Sequence, residues 1–128
     1  MIYGEIEIHD RAPRSVADRG AYLESCAVSR DVLHVGCTDW PMTKERIAAG
    51  QLLHARLEKV ARSVIGIDIA DEGLLVMAGA GHKVEKADAE NLGPQFLGKF
   101  DVVLAGDVLE HLNNPGKFIE GENDVELA

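Results

Sequence analysis

The chain has 128 residues, of which 46% are hydrophobic, enough for one domain with a modest core. Its 22 acidic and 13 basic residues give a formal net charge of -9, which disfavours nucleic acid and anionic membranes as partners. No apolar run approaches the roughly 20 residues that span a bilayer, and charges throughout the first twenty positions argue against a secretory signal. We therefore expect a cytoplasmic protein, in whose reducing environment two cysteines without a CxxC spacing are at home.

The first 30 residues predict a strand and a helix. The stretch "GEIEIHD" alternates isoleucine with glutamate, the period of a strand with one solvated face. From Ser15 the chain has a capping hydroxyl, an acid three residues later at Asp18, and apolar residues that share one helical face. We interpret residues 1–30 as a flap beside the main fold.

The next elements predict a strand, a turn and a divided helix. The run "DVLHV" (31–35) is typical of a buried strand, and it ends at Gly36. Apolar residues then recur at helical intervals over residues 43–62, where Gly50 divides the pattern into two pieces.

A second strand and helix follow. The β-branched run "SVIGIDI" (63–69) reaches an acidic residue, Asp68, at its end. Asp71 is predicted to cap a helix that ends near the glycines of residues 79–81.

Two more strands complete the predicted sheet. The stretch "KVEKADAE" (83–90) is polar enough for an edge strand, whereas "FDVVLAGD" (100–107) is apolar on both faces, as in the interior of a parallel sheet. Between them, residues 91–99 have the glycines and proline of a loop with at most a helical turn. Strands that alternate with helices predict an α/β fold, a parallel sheet with flanking helices and right-handed crossovers.

Ligands of such sheets bind outside the carboxyl ends of the strands. Each residue at these ends has a structural and a chemical interpretation. Gly36 permits a tight turn or the close approach of a cofactor, and Asp68 caps a helix or accepts the hydroxyl protons of a ribose, which we favour. Asp88 is a loop acid or accepts a hydrogen bond from an adenine amino group. Gly106 ends a strand or leaves space for a ligand.

Four stretches together resemble the class I methyltransferases that use S-adenosylmethionine, in particular the type 11 methyltransferase-domain family. They are "VLHVGCTDW", "VIGIDIADEGL", "KADAENL" and "FDVVLAGDVLEHLNNPGKFIEG", which extend from about residue 32 to residue 121. The resemblance implies a Rossmann-like fold, with residues 31–121 as the cofactor-binding core and S-adenosyl-L-methionine as the cofactor.

The resemblance also implies roles for individual residues. Gly36, with Cys37, lines the methionine and ribose region, and Asp68 holds the ribose hydroxyls. Ile69 packs on the adenine, whose edge Asp88 and Ala89 read. Gly106 completes the predicted set of cofactor-binding residues.

The first of these stretches departs from the family pattern. The family has an acidic residue two positions before the first glycine and further glycines at alternate positions after it. Here those places hold His34, Thr38 and Trp40. One hypothesis is that Asp39 supplies the missing carboxylate.

The chain also ends before the last three strands of the family fold, so we expect an incomplete sheet and a C-terminally truncated chain. Without a fifth strand, residues 101–105 would form an unpaired edge, a feature that proteins usually cover or pair. A homodimer that covers this edge is the alternative to truncation. Residues 122–128 are predicted to be a loose acidic tail.

The histidines do not identify a catalytic group or a metal site. His111 follows the fourth strand and is the best candidate for a base, but packing against the next helix is the favoured interpretation, so the catalytic residue is unknown. We expect His34 to be a satisfied interior histidine and His54 to face solvent. No metal is predicted, because His34, Cys37 and Asp39 do not have the spacing of known ligand sets.

Three functions stay open. The first is an S-adenosylmethionine-dependent methyltransferase, or its cofactor-binding half, that acts on a small-molecule acceptor. The second is a non-catalytic Rossmann-like module that assembles through its open sheet edge. The third is an NAD-binding enzyme, which is disfavoured because the glycine fingerprint is absent and because Asp68 lies 32 positions after Gly36 rather than roughly 20.

Overall fold

The computed structural model describes residues 2–3, 6–9, 16–96, 100–105 and 124–126, with side chains over residues 20–96 and 100–105. The helices are α1 (Val16–Ala27), α2 (Thr43–Ala48), α3 (Leu53–Val60) and α4 (Asp71–Gly79), with a 3-10 helix at Pro94–Phe96. The strands are β1 (Ile2–Tyr3), β2 (Ile6–His9), β3 (Asp31–Val35), β4 (Ser63–Asp68), β5 (Val84–Lys86), β6 (Val102–Leu104) and β7 (Asp124–Glu126).

The strands form one sheet in the order β1-β2-β7-β6-β3-β4-β5. Neighbouring strands are parallel from β2 through to β5, and β1 is antiparallel to β2. The four strands predicted for the core are β3, β4, β5 and β6, and the polar β5 lies at an edge as expected. The predicted α/β class, a Rossmann-like parallel sheet with flanking helices, is confirmed.

Alternate residues of the central strands pack on opposite faces of the sheet. On one face, Val32 and Val102 contact α1 and α3 through Leu23 and Leu57. On the other face, a second cluster is covered by the chain between β5 and β6; it consists of Leu33, Val35, Ile67, Ala89, Phe96, Val103 and Ala105. The helix α1, expected in a flap beside the fold, therefore contributes to the core.

The helical segment after β3 is divided as the sequence predicted. Gly50 separates α2 from α3 and has φ of +68°, a conformation that glycine adopts without strain. The start of α4 differs from the prediction, because Ala70 is the N-cap residue and no side chain caps the helix. Asp71 lies in the first turn instead, where its carboxylate pairs with Lys86 at 3.0 Å.

The prediction that residues 101–105 form an open edge is wrong. Strand β6 pairs with β3 on one side and with β7 on the other, and β2 continues the sheet beyond β7. Residues 124–126 therefore form a strand rather than part of a loose tail. The backbone groups of β6 that β3 does not use provide the hydrogen-bonding partners for this strand. The open edge that suggested a homodimer is not found at β6.

Within the part of the chain that the structure describes, no helix combines the length and apolar character that crossing a membrane requires.

The packing of α4 can be tested with two adjacent leucines. Leu74 is 9% exposed and packs against Leu52 and Met77, whereas Leu75 is 73% exposed. We expect Leu74→Ala to lower the free energy of unfolding by about 2 kcal/mol or more, because it removes buried methyl groups and leaves a cavity. Leu75→Ala, the matched control, should change it by less than about 0.5 kcal/mol. Urea unfolding measures both, and equal losses would contradict the orientation of α4.

Candidate functional site

The carboxylate of Asp68 joins the turn after β3 to the start of α4. Its Oδ2 accepts hydrogen bonds from the Thr38 hydroxyl at 2.7 Å and from the Thr38 N–H at 3.1 Å. Its Oδ1 accepts from the N–H groups of Ile69 at 2.7 Å and Ala70 at 3.1 Å. A carboxylate offers about four acceptor positions, so this side chain is fully engaged by its own protein.

Backbone hydrogen bonds hold the ends of three strands side by side. The Gly36 N–H donates to the Ile67 carbonyl at 2.9 Å, and the Ala87 N–H donates to the Asp68 carbonyl at 3.1 Å. Gly36 has φ of +72°, which lets the chain turn sharply out of β3. We call the surface at the carboxyl ends of these three strands, formed by residues 36–40, 68–70 and 87–90, the crest.

Six of the seven predicted cofactor-binding residues lie in the crest, and the seventh, Gly106, lies outside the described residues. Ile69 is 67% exposed and Asp88 is exposed, so both side chains are accessible to a ligand. Cys37 and Ala89 are buried in the core. Any contact of these two residues with a ligand would therefore come from the backbone.

Thr38 is the residue whose importance the sequence did not reveal. It is fully buried, and its carbonyl accepts a hydrogen bond from the Thr43 hydroxyl at 2.6 Å. A Cβ at Gly73 in α4 would lie 2.7 Å from the Thr38 Cβ, so the glycine permits α4 to pack directly against this residue. The sequence offered one signal for this contact. Thr38, which has a hydroxyl, lies two positions after Gly36, and an acid, Asp68, ends the next strand.

The rest of the first turn is accessible. Trp40 is 42% exposed, and its backbone N–H donates to the Thr38 hydroxyl at 3.3 Å. Asp39 has φ of +55°, and its carboxylate lies 3.6 Å from Arg46 Nε. The Asp39 carboxylate, which we considered as a substitute for the family's acid, is thus paired with the cation of Arg46.

The crest has features that fit a nucleoside and one that competes with it. The open turn at Gly36, the exposed apolar surface of Ile69 and the exposed carboxylate of Asp88 suit a sugar and a planar base. The Thr38 hydroxyl, however, already donates to Asp68. A sugar hydroxyl could bind that carboxylate by taking the place of the threonine hydroxyl, since both are O–H donors.

Two histidines, one in β3 and one in α3, lie together between the sheet and the helix. His34 is 5% exposed and contacts His54 through their Nδ1 atoms at 3.0 Å, which confirms the expectation of a satisfied interior histidine. The expectation for His54 is wrong, because its side chain is fully buried rather than solvent-facing. The helix turns it towards the sheet, where His34 provides a polar partner. The base candidate, His111, lies outside the described residues.

The burial of Cys37 gives a direct test of how the crest is packed. Burial, together with the negative charge of Asp68, raises the pKa of the Cys37 thiol to about 12, so the reactive thiolate is scarce at neutral pH. We expect native Cys26→Ser protein to resist iodoacetamide and to become alkylated at Cys37 only after unfolding in urea. Mass spectrometry measures the modification. Alkylation of the native variant as fast as of the unfolded variant would contradict this packing.

Solved structures share the fold over most of this chain. An S-adenosylmethionine-dependent methyltransferase from Mesorhizobium loti superposes with a TM-score of 0.56 and 17% identity over 87% of this chain and 50% of its own. A methyltransferase of the same dependence from Aquifex aeolicus gives 0.56 and 21% over 83% of this chain and 55% of its own. The YcgJ protein of Bacillus subtilis gives 0.57 and 15% over 77% and 42%. The chain thus spans about half the length of these proteins.

The sequence comparison identifies the family. No curated protein matches the chain. A family described as a methyltransferase domain matches residues 47–122, which is more than half of the 128 residues. The chain belongs to this methyltransferase-domain family.

Proposed function

We propose that the chain forms the cofactor-binding part of an S-adenosylmethionine-dependent methyltransferase. The observation that carries the proposal is the crest, where the ends of β3, β4 and β5 bring Gly36, Asp68 and Asp88 to one edge of the sheet in a member of this family. A crevice outside the carboxyl ends of parallel strands is where such sheets bind nucleotides.

The six predicted cofactor-binding residues of the crest each have a role in this proposal. Asp68 accepts the ribose hydroxyls after the Thr38 hydroxyl is displaced, and Ile69 covers one face of the adenine. Asp88 accepts from the adenine amino group beside the backbone of Ala89. The turn at Gly36 and Cys37 accommodates the methionine part through its backbone. The contacts of Ile69 and Asp88 use exposed side chains, and those of Gly36, Cys37 and Ala89 use backbone groups, whereas Asp68 must first release the Thr38 hydroxyl.

The bound cofactor would supply a methyl group on a sulfonium, which is already a good leaving group. The work of the chain is therefore to bind and orient the reactants and to exclude water. We propose a small molecule as the acceptor, because the net charge of -9 opposes the approach of a phosphate backbone or an anionic membrane. Cys26 and Cys37 form no disulfide, which suits the cytoplasm as the location.

A second candidate is a non-catalytic module that keeps the fold without binding the cofactor. It is favoured by one observation, the saturation of the Asp68 carboxylate by Thr38, Ile69 and Ala70. A ligand must break at least one of these hydrogen bonds before it can bind that carboxylate. In this case the hydrogen bonds of Asp68 serve only to hold the turn after β3 against the start of α4.

Calorimetry with S-adenosylmethionine, its demethylated product and NAD distinguishes the candidates. We expect the first two to bind and NAD not to bind. Ile69→Ser should weaken their binding about tenfold, because an exposed apolar contact with the adenine of roughly 1.4 kcal/mol is lost. Leu75→Ser is the matched control, since Leu75 is similarly exposed but lies in α4.

The outcomes separate the proposals. No binding of any of the three ligands to a protein with a cooperative unfolding transition would favour the non-catalytic module. Binding of NAD alone would favour a nicotinamide enzyme. Equal effects of Ile69→Ser and Leu75→Ser would remove Ile69 from the proposed adenine contact.

A further inference from the structure

A cluster of three potential metal ligands lies between α3 and the chain that leads into β5. It consists of His54, Glu58 and His82, whose ligand atoms all lie within 4.8 Å of one another. His54 and Glu58 are four residues apart in α3 and therefore share one face of the helix. His82 follows α4 and reaches the same place through Nδ1, which lies 2.7 Å from Glu58 Oε1.

One atom of this cluster has no partner among the residues that the structure describes. His54 is fully buried, and within this part of the chain its Nε2 has no hydrogen-bond partner. The nearest carboxylate oxygen, Glu58 Oε2, lies 3.7 Å away, beyond hydrogen-bonding distance. An unsatisfied buried polar atom costs about 1–3 kcal/mol. The hydrogen bond between His82 and Glu58 leaves this cost in place, because it does not involve His54.

The other nitrogen of His54 is held by a second histidine. His54 Nδ1 lies 3.0 Å from His34 Nδ1, and one of the two must donate. When His54 Nδ1 donates, Nε2 carries a lone pair and lies within 4.8 Å of ligand atoms of Glu58 and His82. Histidines that bind metals usually donate through their other nitrogen in this way, which fixes the tautomer and the ring orientation.

The surrounding packing preserves this arrangement. Gly66 in β4 lies under the ring, and a Cβ there would come within 2.8 Å of His54 Cε1.

We propose that His54 Nε2, the Glu58 carboxylate and His82 Nδ1 bind one divalent transition-metal ion, with Zn²⁺ as the best match. The site joins α3 to the segment between α4 and β5. It is separate from the crest and does not depend on the proposed function.

The donor set and its spacing suit zinc. Two imidazole nitrogens and one carboxylate are a three-ligand set for Zn²⁺, which takes a fourth ligand from solvent or substrate. Ligands about 2.0–2.1 Å from a tetrahedral ion lie roughly 3.3 Å from one another. The 3.7 Å from His54 Nε2 to Glu58 Oε2 is close to this value, and the 2.7 Å from Glu58 Oε1 to His82 Nδ1 must lengthen by about 0.6 Å. Because these are the two different oxygens of the carboxylate, Glu58 must also rotate to present one of them to the ion. Glu58 is exposed, so water has access to the fourth position.

Zinc titration of the full chain after treatment with a chelator tests the site. We expect one equivalent of Zn²⁺ to bind in calorimetry and to raise the melting temperature. Glu58→Gln and His82→Gln should each weaken binding by more than the roughly 10- to 100-fold loss that follows removal of an outer-shell partner. Glu72→Gln, an exposed acid in α4 outside the cluster, is the charge-matched control and should bind as the unmodified chain does.

Titration with Co²⁺ of the unmodified chain gives a readout that does not depend on the variants folding. We expect the intense visible absorption of four-coordinate Co²⁺, and its displacement by Zn²⁺. The absence of saturable Zn²⁺ binding, equal affinity in Glu58→Gln and His82→Gln, or the weak absorption of octahedral Co²⁺ would each overturn the proposal.

Discussion

The arrangement of the crest depends on one carboxylate. Asp68 accepts hydrogen bonds from the turn that leaves β3 and from the turn that starts α4, so it fixes two loops that lie 30 residues apart in sequence. The parallel pairing of β3 with β4 makes this contact geometrically available, because it places Val35 beside Ile67 and therefore brings both strand ends to one edge. The orientation of the Thr38 turn and of the first residues of α4 follows from this joint.

The same carboxylate links fold and function. In the proposed methyltransferase role it must bind a sugar, yet its present partners belong to the protein. The family match begins at residue 47, after the turn that contains Thr38 and Trp40 in place of glycines. The part of the chain that differs from the family pattern thus includes Thr38, which occupies one of the two oxygens of the carboxylate. A ligand hydroxyl that replaces the Thr38 hydroxyl exchanges one hydrogen bond to Asp68 for another, which keeps the net cost of the exchange small.

The central strands could be predicted because a parallel sheet buries both faces and so requires apolar runs, as in β3, β4 and β6. The division of the helical segment at Gly50 could also be predicted, because a turn that needs a positive φ favours glycine at that position. Strand β7 was not predictable, because Asp124–Glu126 has little apolar character and its pairing depends on the backbone of β6. The burial of His54 was missed for a similar reason, since its partner His34 lies 20 residues away and on another element. The separation of His82 from α3 likewise conceals the cluster.

A double-mutant cycle on Thr38 and Asp68 tests the central claim most directly. The free energy of unfolding is measured for Thr38→Val, Asp68→Asn, the double variant and the unmodified chain. A hydroxyl that donates to a charged carboxylate predicts a coupling of about 1.5–3 kcal/mol between the two substitutions. Effects that add to within about 0.5 kcal/mol would contradict the account, because the two side chains would then contribute to stability independently.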